Sequence, residues 1–192
     1  MIILGIDPGS ITTGYAFVKA EKGKVGVLEY GVFHAKATLP VEDRLLHIVK
    51  ELEERLDLYH PEALAMEGVF FAKNAKSALV LGHIRGAILV ACRKRGMSFC
   101  EYPPKVVKQA VTGDGSASKE QVANMVFARL GIEASELPFD ASDALAIAWT
   151  HANPAPLAVA LTARAGKPAR RKKKAGVSEW KALVEKMGGV IQ

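Results

Sequence analysis

Four carboxylates stand where this chain can bring acids together. Asp7 closes the apolar run Ile2-Ile3-Leu4-Gly5-Ile6 and enters a Pro8-Gly9-Ser10 turn, and Glu67 closes a second apolar run, Ala63-Leu64-Ala65-Met66. Asp140 and Asp143 lie three apart where the Ala-rich segment Pro138 to His151 begins. A continuous apolar run bounded by turn residues reads as a strand buried on both faces. Residues three apart share one face of a helix, so Asp140 and Asp143 point the same way. Three of the acids also have a structural use: Asp7 can hydrogen-bond its own turn, and Asp140 and Asp143 can cap a helix and complement its dipole. Taken together, two acids ending neighbouring strands and two starting a small-residue helix would repel one another without a cation between them. A hard divalent ion relieves that repulsion. Oxygen donors without His or Cys favour Mg²⁺ or Mn²⁺ over zinc.

Those acids need particular elements to position them. Gly14–Ala20 and Lys24–Lys36 are β-rich runs separated by Glu21-Lys22-Gly23, which predicts a hairpin and, with the first strand, a three-stranded meander. Leu45, Ile48, Val49, Leu52, Leu56 and Tyr59 recur at helical spacing between Pro40 and Pro61, so 41–59 is an amphipathic helix. A helical crossover then lays the Ala63–Glu67 strand parallel beside the first strand, ~4.8 Å away, with Asp7 and Glu67 facing each other across the ladder. Lys73–Arg95 reads as a second long helix with Ala78, Gly82 and Gly86 on one stripe. That stripe allows close packing within the chain, the first expectation, or against a second copy. Ser98–Tyr102 is a fifth strand, Lys105–Thr112 a short helix, and Ser118 caps a helix that runs to Leu130. Lys105, Lys108 and Lys119 bracket the Gly113–Ser116 turn, either as a solvated face or as a grip on phosphates.

A chain of 192 residues that is 49% hydrophobic can bury one domain, here 1–153, with an appendage at 154–192. No apolar run approaches the ~20 residues of a membrane span and the N-terminus lacks a signal-peptide pattern, so the expectation is a cytoplasmic protein with no membrane partner. Cys92 and Cys100 both read as buried, reduced thiols. The formal net charge of +6 is unevenly placed. Residues 164–174 carry Arg164, Lys167, Arg170, Arg171, Lys172, Lys173 and Lys174 without an acid, while beyond them Glu179 and Glu185 balance Lys181 and Lys186. The body is therefore near neutral, and the basic arm is what would attract nucleic acid. Trp180, Leu183, Val184 and Met187 trace a short amphipathic helix over 178–187.

The order meander, helix, strand, helix, strand, helix resembles the ribonuclease H-like nuclease fold, an α/β fold with a mixed five-stranded sheet flanked by helices. Within it, GIDPGS at 5–10, EGVFFAKNAKSALVLGHIRG at 67–86, VKQAVTGDGSASKEQV at 107–122 and DASDALAIAWTH at 140–151 resemble the RuvC family of bacterial Holliday junction resolvases. The resemblance implies a homodimeric endonuclease that nicks four-way junction DNA symmetrically, with two Mg²⁺ or Mn²⁺ ions per site, in recombination and repair beside a branch-migration partner. It places the acidic site on Asp7, Glu67, Asp140 and Asp143, with Asp7 bridging the two ions. It also places a junction-contacting aromatic on Phe70, with Phe71 beside it, and loop lysines on Lys108 and Lys119. Gly68 departs from the family, which commonly carries Gln there, and residues 164–192 lie outside the match. Two other readings exist. Asp7-Pro8-Gly9-Ser10 followed by Thr12-Thr13-Gly14 also resembles the phosphate hairpin of actin-like kinases, which need two such domains; a junction-binding protein without catalysis would have no need of all four acids.

Overall fold

The apolar run 2–7 becomes strand β1 (Ile2–Asp7), followed by β2 (Thr12–Glu21) and β3 (Lys24–His34). Helix α1 (Val41–Tyr59) leads to β4 (Ala63–Glu67), then α2 (Ala75–Lys94) to β5 (Ser98–Tyr102). Helices α3 (Pro104–Thr112), α4 (Lys119–Leu130) and α5 (Phe139–Ala152) complete the order. This computed structural model describes residues 1–68, 75–133 and 138–153. Phe70, Phe71, the basic residues Arg170, Arg171, Lys172, Lys173 and Lys174, and the helix expected at 178–187 lie outside the described residues.

The five strands form one mixed sheet in the order β3-β2-β1-β4-β5, which puts β1 in the middle. The β2–β3 hairpin closes through a two-residue loop, with Lys22 at φ 50° and Gly23 at φ 77°. Both dihedrals are positive, as a type I′ turn requires, and its twist matches that of the flanking strands. β1 is antiparallel to β2 and parallel to β4, pairing Ile6 with Met66, so the next residues along, Asp7 and Glu67, end adjacent strands together.

Alternation along the strands builds two cores. Ile3, Ala63 and Ala65 face α3, α4 and α5, whereas Leu4, Ile6, Leu64 and Met66 face α1 and α2. Small residues line the first face for a reason. A Cβ on Gly5 would lie 2.3 Å from the carbonyl oxygen of Ala144, and one on Gly14 would lie 1.9 Å from that of Asp140. Helix α5, buried from Ala141 to Thr150, therefore rests on the sheet at backbone contact. Asp7 and Glu67 continue the alternation of Gly5 and Ala65, which sets both acids on the α5 side.

Three expectations are corrected. Cys100 is exposed, unlike buried Cys92, because β5 is an edge strand whose residues 98–101 all remain open. Among the described residues nothing packs on the Gly82 and Gly86 stripe: nothing lies within 4 Å of a Cβ built on either. Finally, α2 is long and apolar enough by composition to cross a membrane. Its inner face, Ile84, Ile88, Ala91 and Cys92, is buried under the sheet and Arg85 is tied to Glu101 and to the carbonyl of Glu67, while Leu79 and Val90 on the outer face stay exposed.

Candidate nuclease site at the end of the central strands

Asp7 leaves β1 into a turn held by Thr13, a fully buried residue on β2. The Thr13 hydroxyl donates to the Gly9 carbonyl at 2.5 Å and accepts from the Gly9 amide at 3.2 Å. A Cβ on Gly9 would fall 2.1 Å from the carbonyl of Thr12, so the tightness of this turn requires glycine. Glu67 leaves β4 beside it, and the Gly68 amide donates to the carbonyl of Tyr102 at 2.8 Å, continuing the ladder into β5. A Cβ on Gly68 would stand at contact distance, 3.4 Å, from Pro103 and Tyr102, so its surroundings do not demand glycine. Asp140 lies in the first turn of α5, held over the sheet by the Gly14 contact, and Asp143 follows three residues on.

The four acids share one electrostatic environment. Asp7 is pushed from 3.8 up to about 7, first by burial and then by the charges of Glu67, Asp143 and Asp140, against the opposing pull of Lys119. Glu67 is also raised, by burial and by Asp143, with Lys119, Arg85 and Lys108 working the other way. Lys119 at the start of α4 provides the balancing charge: its Nζ lies 2.7 Å from Asp143 Oδ2, and that hydrogen bond holds the ammonium above its ordinary range. The capping box of Ser118 with Gln121 fixes where α4 starts, and so where Lys119 can reach.

The structure brings together Asp7, Glu67, Asp140, Asp143 and Lys119. Lys119 is thus an ion-pair partner of the acids as well as a loop lysine, a role its position 24 residues before Asp143 did not signal. Lys108 turns its Nζ to the carbonyl of Ala117 at 2.6 Å, steadying the α3–α4 turn, while remaining close enough to lower Glu67. Lys105 lays its stem over Gly115, where a Cβ would meet it at 2.9 Å. Sequence reasoning missed Thr13 as the brace of the Asp7 turn and Arg85 as the clamp on the end of β4. The one available signal for Thr13 was a β-branched hydroxyl just past a Pro-Gly turn.

Four converging carboxylates are the right donors for a hard divalent cation. As the side chains stand, no three acidic, histidine or cysteine groups among the described residues are gathered tightly enough to hold one. That arrangement follows from the charges, since repulsion spreads the acids and Lys119 draws Asp143 toward itself.

A stability effect follows from the raised Asp7. Between pH 3.8 and about 7 the unfolded chain has Asp7 ionised while the folded chain holds it protonated, so folding loses free energy as pH rises through that window. Asp7→Asn, which cannot ionise, is expected to raise the melting temperature at pH 8 in EDTA by an amount corresponding to ~2–4 kcal/mol, with the difference vanishing near pH 4. Calorimetry at the two pH values checks it; equal melting temperatures at pH 8 would show that the repulsion is not there.

Comparison with known proteins agrees with this geometry. The pattern of one family, Crossover junction endodeoxyribonuclease RuvC, matches residues 3–151. A RuvC from Ruminiclostridium cellulolyticum is 46% identical over 153 residues, covering 80% of this chain and 92% of that one. The Thermus thermophilus RuvC structure superposes with a TM-score of 0.74 at 38% identity, covering 82% of this chain and 97% of that chain. The same protein in complex with a Holliday junction substrate gives 0.76 at 37%, covering 82% and 96%. The matched span contains all four acids, as well as Lys119. By sequence and by fold, the chain belongs to the RuvC family of crossover junction endodeoxyribonucleases.

Proposed function

We propose that this endodeoxyribonuclease resolves four-way DNA junctions by paired, symmetric nicks, with Asp7, Glu67, Asp140 and Asp143 holding two Mg²⁺ or Mn²⁺ ions. The observation that carries the reading is the convergence of the charges of three other carboxylates on a half-buried Asp7 at the end of the central strand. When bound, such ions lower the pKa of the attacking water and stabilise the leaving oxygen. The chain's own part is to keep the acids pre-positioned on rigid strands and to set Lys119 and Lys108 beside them, where they also face an incoming phosphate. A synthetic four-way junction, against linear duplex of the same sequence, with and without Mg²⁺, tests it. Junction-selective, metal-dependent nicking is expected; equal cutting of duplex would remove the substrate assignment.

Symmetric nicking calls for two copies, and the outer face of α2 supports a homodimer. Leu79 is 62% exposed and Val90 55%, with Gly82 and Gly86 open between them. An uncovered apolar stripe of this kind marks an interface, and glycines let two helices approach closely. Charged replacements at Leu79 and Val90 are expected to leave the chain folded and monomeric by analytical ultracentrifugation.

The basic residues 164–174 would serve as a DNA-attracting arm on a cytoplasmic protein, and the segment beyond them would suit a branch-migration partner. Removing residues 164–192 is expected to weaken junction and duplex binding alike and to flatten log K against log[salt] by ~0.9 per phosphate released, while nicking at saturating protein barely changes. An unaltered slope would mean that the arm does not touch DNA.

A further inference from the structure

A cavity of about 360 Å³ is lined by Ser10, Arg44, Lys76, Ser77, Val80 and Leu81. Ser10 comes from the β1–β2 turn, Arg44 from the first turn of α1, and the rest from the opening turns of α2. The lining joins two cationic side chains and two hydroxyls with no acid among them. Such a set presents several donors to one oxyanion. The Nε of Arg44 is buried and has no hydrogen-bond partner among the described residues. A buried guanidinium N–H without an acceptor is costly, more so than a neutral donor, and an anion seated in the cavity would relieve that cost.

The cavity is close to the acids along the chain. Ser10 is three residues from Asp7, so their Cα atoms are at most ~11 Å apart. With a rise of ~3.4 Å per nucleotide, that separation corresponds to one to three nucleotides of a DNA strand. Resting on the nuclease reading above, we propose that Ser10, Arg44, Lys76 and Ser77 form a phosphate-binding pocket that grips the cut strand one to three nucleotides from the nick. The anion is a backbone phosphodiester, read without regard to base, and the pocket sets the register of the strand relative to Asp7.

The test uses the full chain and four-way junctions carrying a single neutral methylphosphonate at each of the three positions on either side of the nick. Binding is measured in Ca²⁺ and nicking in Mg²⁺. One position is expected to weaken wild-type binding by ~5–10-fold, as for the loss of one charge-assisted contact. Arg44→Gln, or Ser77→Asp at a solvent-exposed site, should weaken the unmodified junction similarly. Each should also erase the penalty at that one position and make the salt slope shallower by ~0.9 per pocket. If Arg44→Gln lowers the melting temperature while the full methylphosphonate penalty persists, Arg44 is a structural residue and the pocket is overturned. A wild-type chain that nicks the junction but shows no position-specific penalty overturns the pocket and leaves the nuclease reading standing. A chain that fails to nick the unmodified junction overturns the reading and the pocket with it.

Discussion

Asp7→Asn, and likewise Asp143→Asn, is expected to lower junction nicking by at least ~10³-fold while junction binding stays level or tightens. On the proposed function the carboxylates hold cations whose stabilisation of the reaction is worth several kcal/mol, and each ~1.4 kcal/mol lost is a factor of ten in rate. Binding moves the other way because Asn removes a negative charge from a surface that must accept phosphate. Asp7 is the more severe of the two sites, because it is the one on which the charges of the other three acids converge. Asp143 differs in having Lys119 beside it, so its loss also frees that ammonium to meet DNA. Gel-shift binding in Ca²⁺ beside single-turnover nicking in Mg²⁺ separates the two effects. Parallel loss of binding and nicking would mean that the acids support the structure rather than the chemistry.

Gly14→Ala is expected to damage both stability and activity, although it adds a single methyl group. Gly14 pairs with Asp7 across the β1–β2 ladder, and its missing Cβ is the space that α5 occupies. The new carbon would lie 1.9 Å from the Asp140 carbonyl oxygen and 2.4 Å from its carbon, both backbone atoms that cannot swing aside. The first turn of α5 must lift, at a cost of ~1–3 kcal/mol or more for overpacking. Lifting that turn carries Asp140 and Asp143 away from Asp7, and a displacement of ~1 Å is enough to cost ~10² in rate. Gly26→Ala is the matched control, since nothing lies within 4 Å of its Cβ and its backbone is ordinary for a strand. It should leave both properties near wild type. A Gly14→Ala protein with unchanged melting temperature and rate would show that α5 does not rest on the sheet at this point.

Where local signals were strong, the sequence was legible to the residue. Pro40 and Pro61 bracket α1, the Ser118 cap with Gln121 starts α4, and the apolar runs closing on Asp7 and Glu67 are β1 and β4. The mixed sheet followed from one crossover rule, because a helix between β3 and β4 leaves β4 parallel to β1. Properties that depend on neighbours distant in sequence were not legible. Cys100 looks buried by composition, but it lies on the sheet edge. The glycine stripe of α2 has the spacing of a packed face, yet nothing among the described residues packs against it. Lys119 reads as one lysine among several around a glycine turn, and only the docking of α4 against α5 reveals its pairing with Asp143. The buried Nε of Arg44 is likewise invisible until α1 and α2 are placed side by side on the sheet.

The cation site proposed at the ends of β1 and β4 and the start of α5 can be checked by Mn²⁺ binding, followed by the loss of its free electron-spin resonance signal. The wild-type chain is expected to take up Mn²⁺ in competition with Mg²⁺. Asp7→Asn should lose that uptake, and Lys119→Ala should strengthen it by removing the ammonium that pairs with Asp143. Equal Mn²⁺ uptake by the wild-type and Asp7→Asn chains would contradict the account.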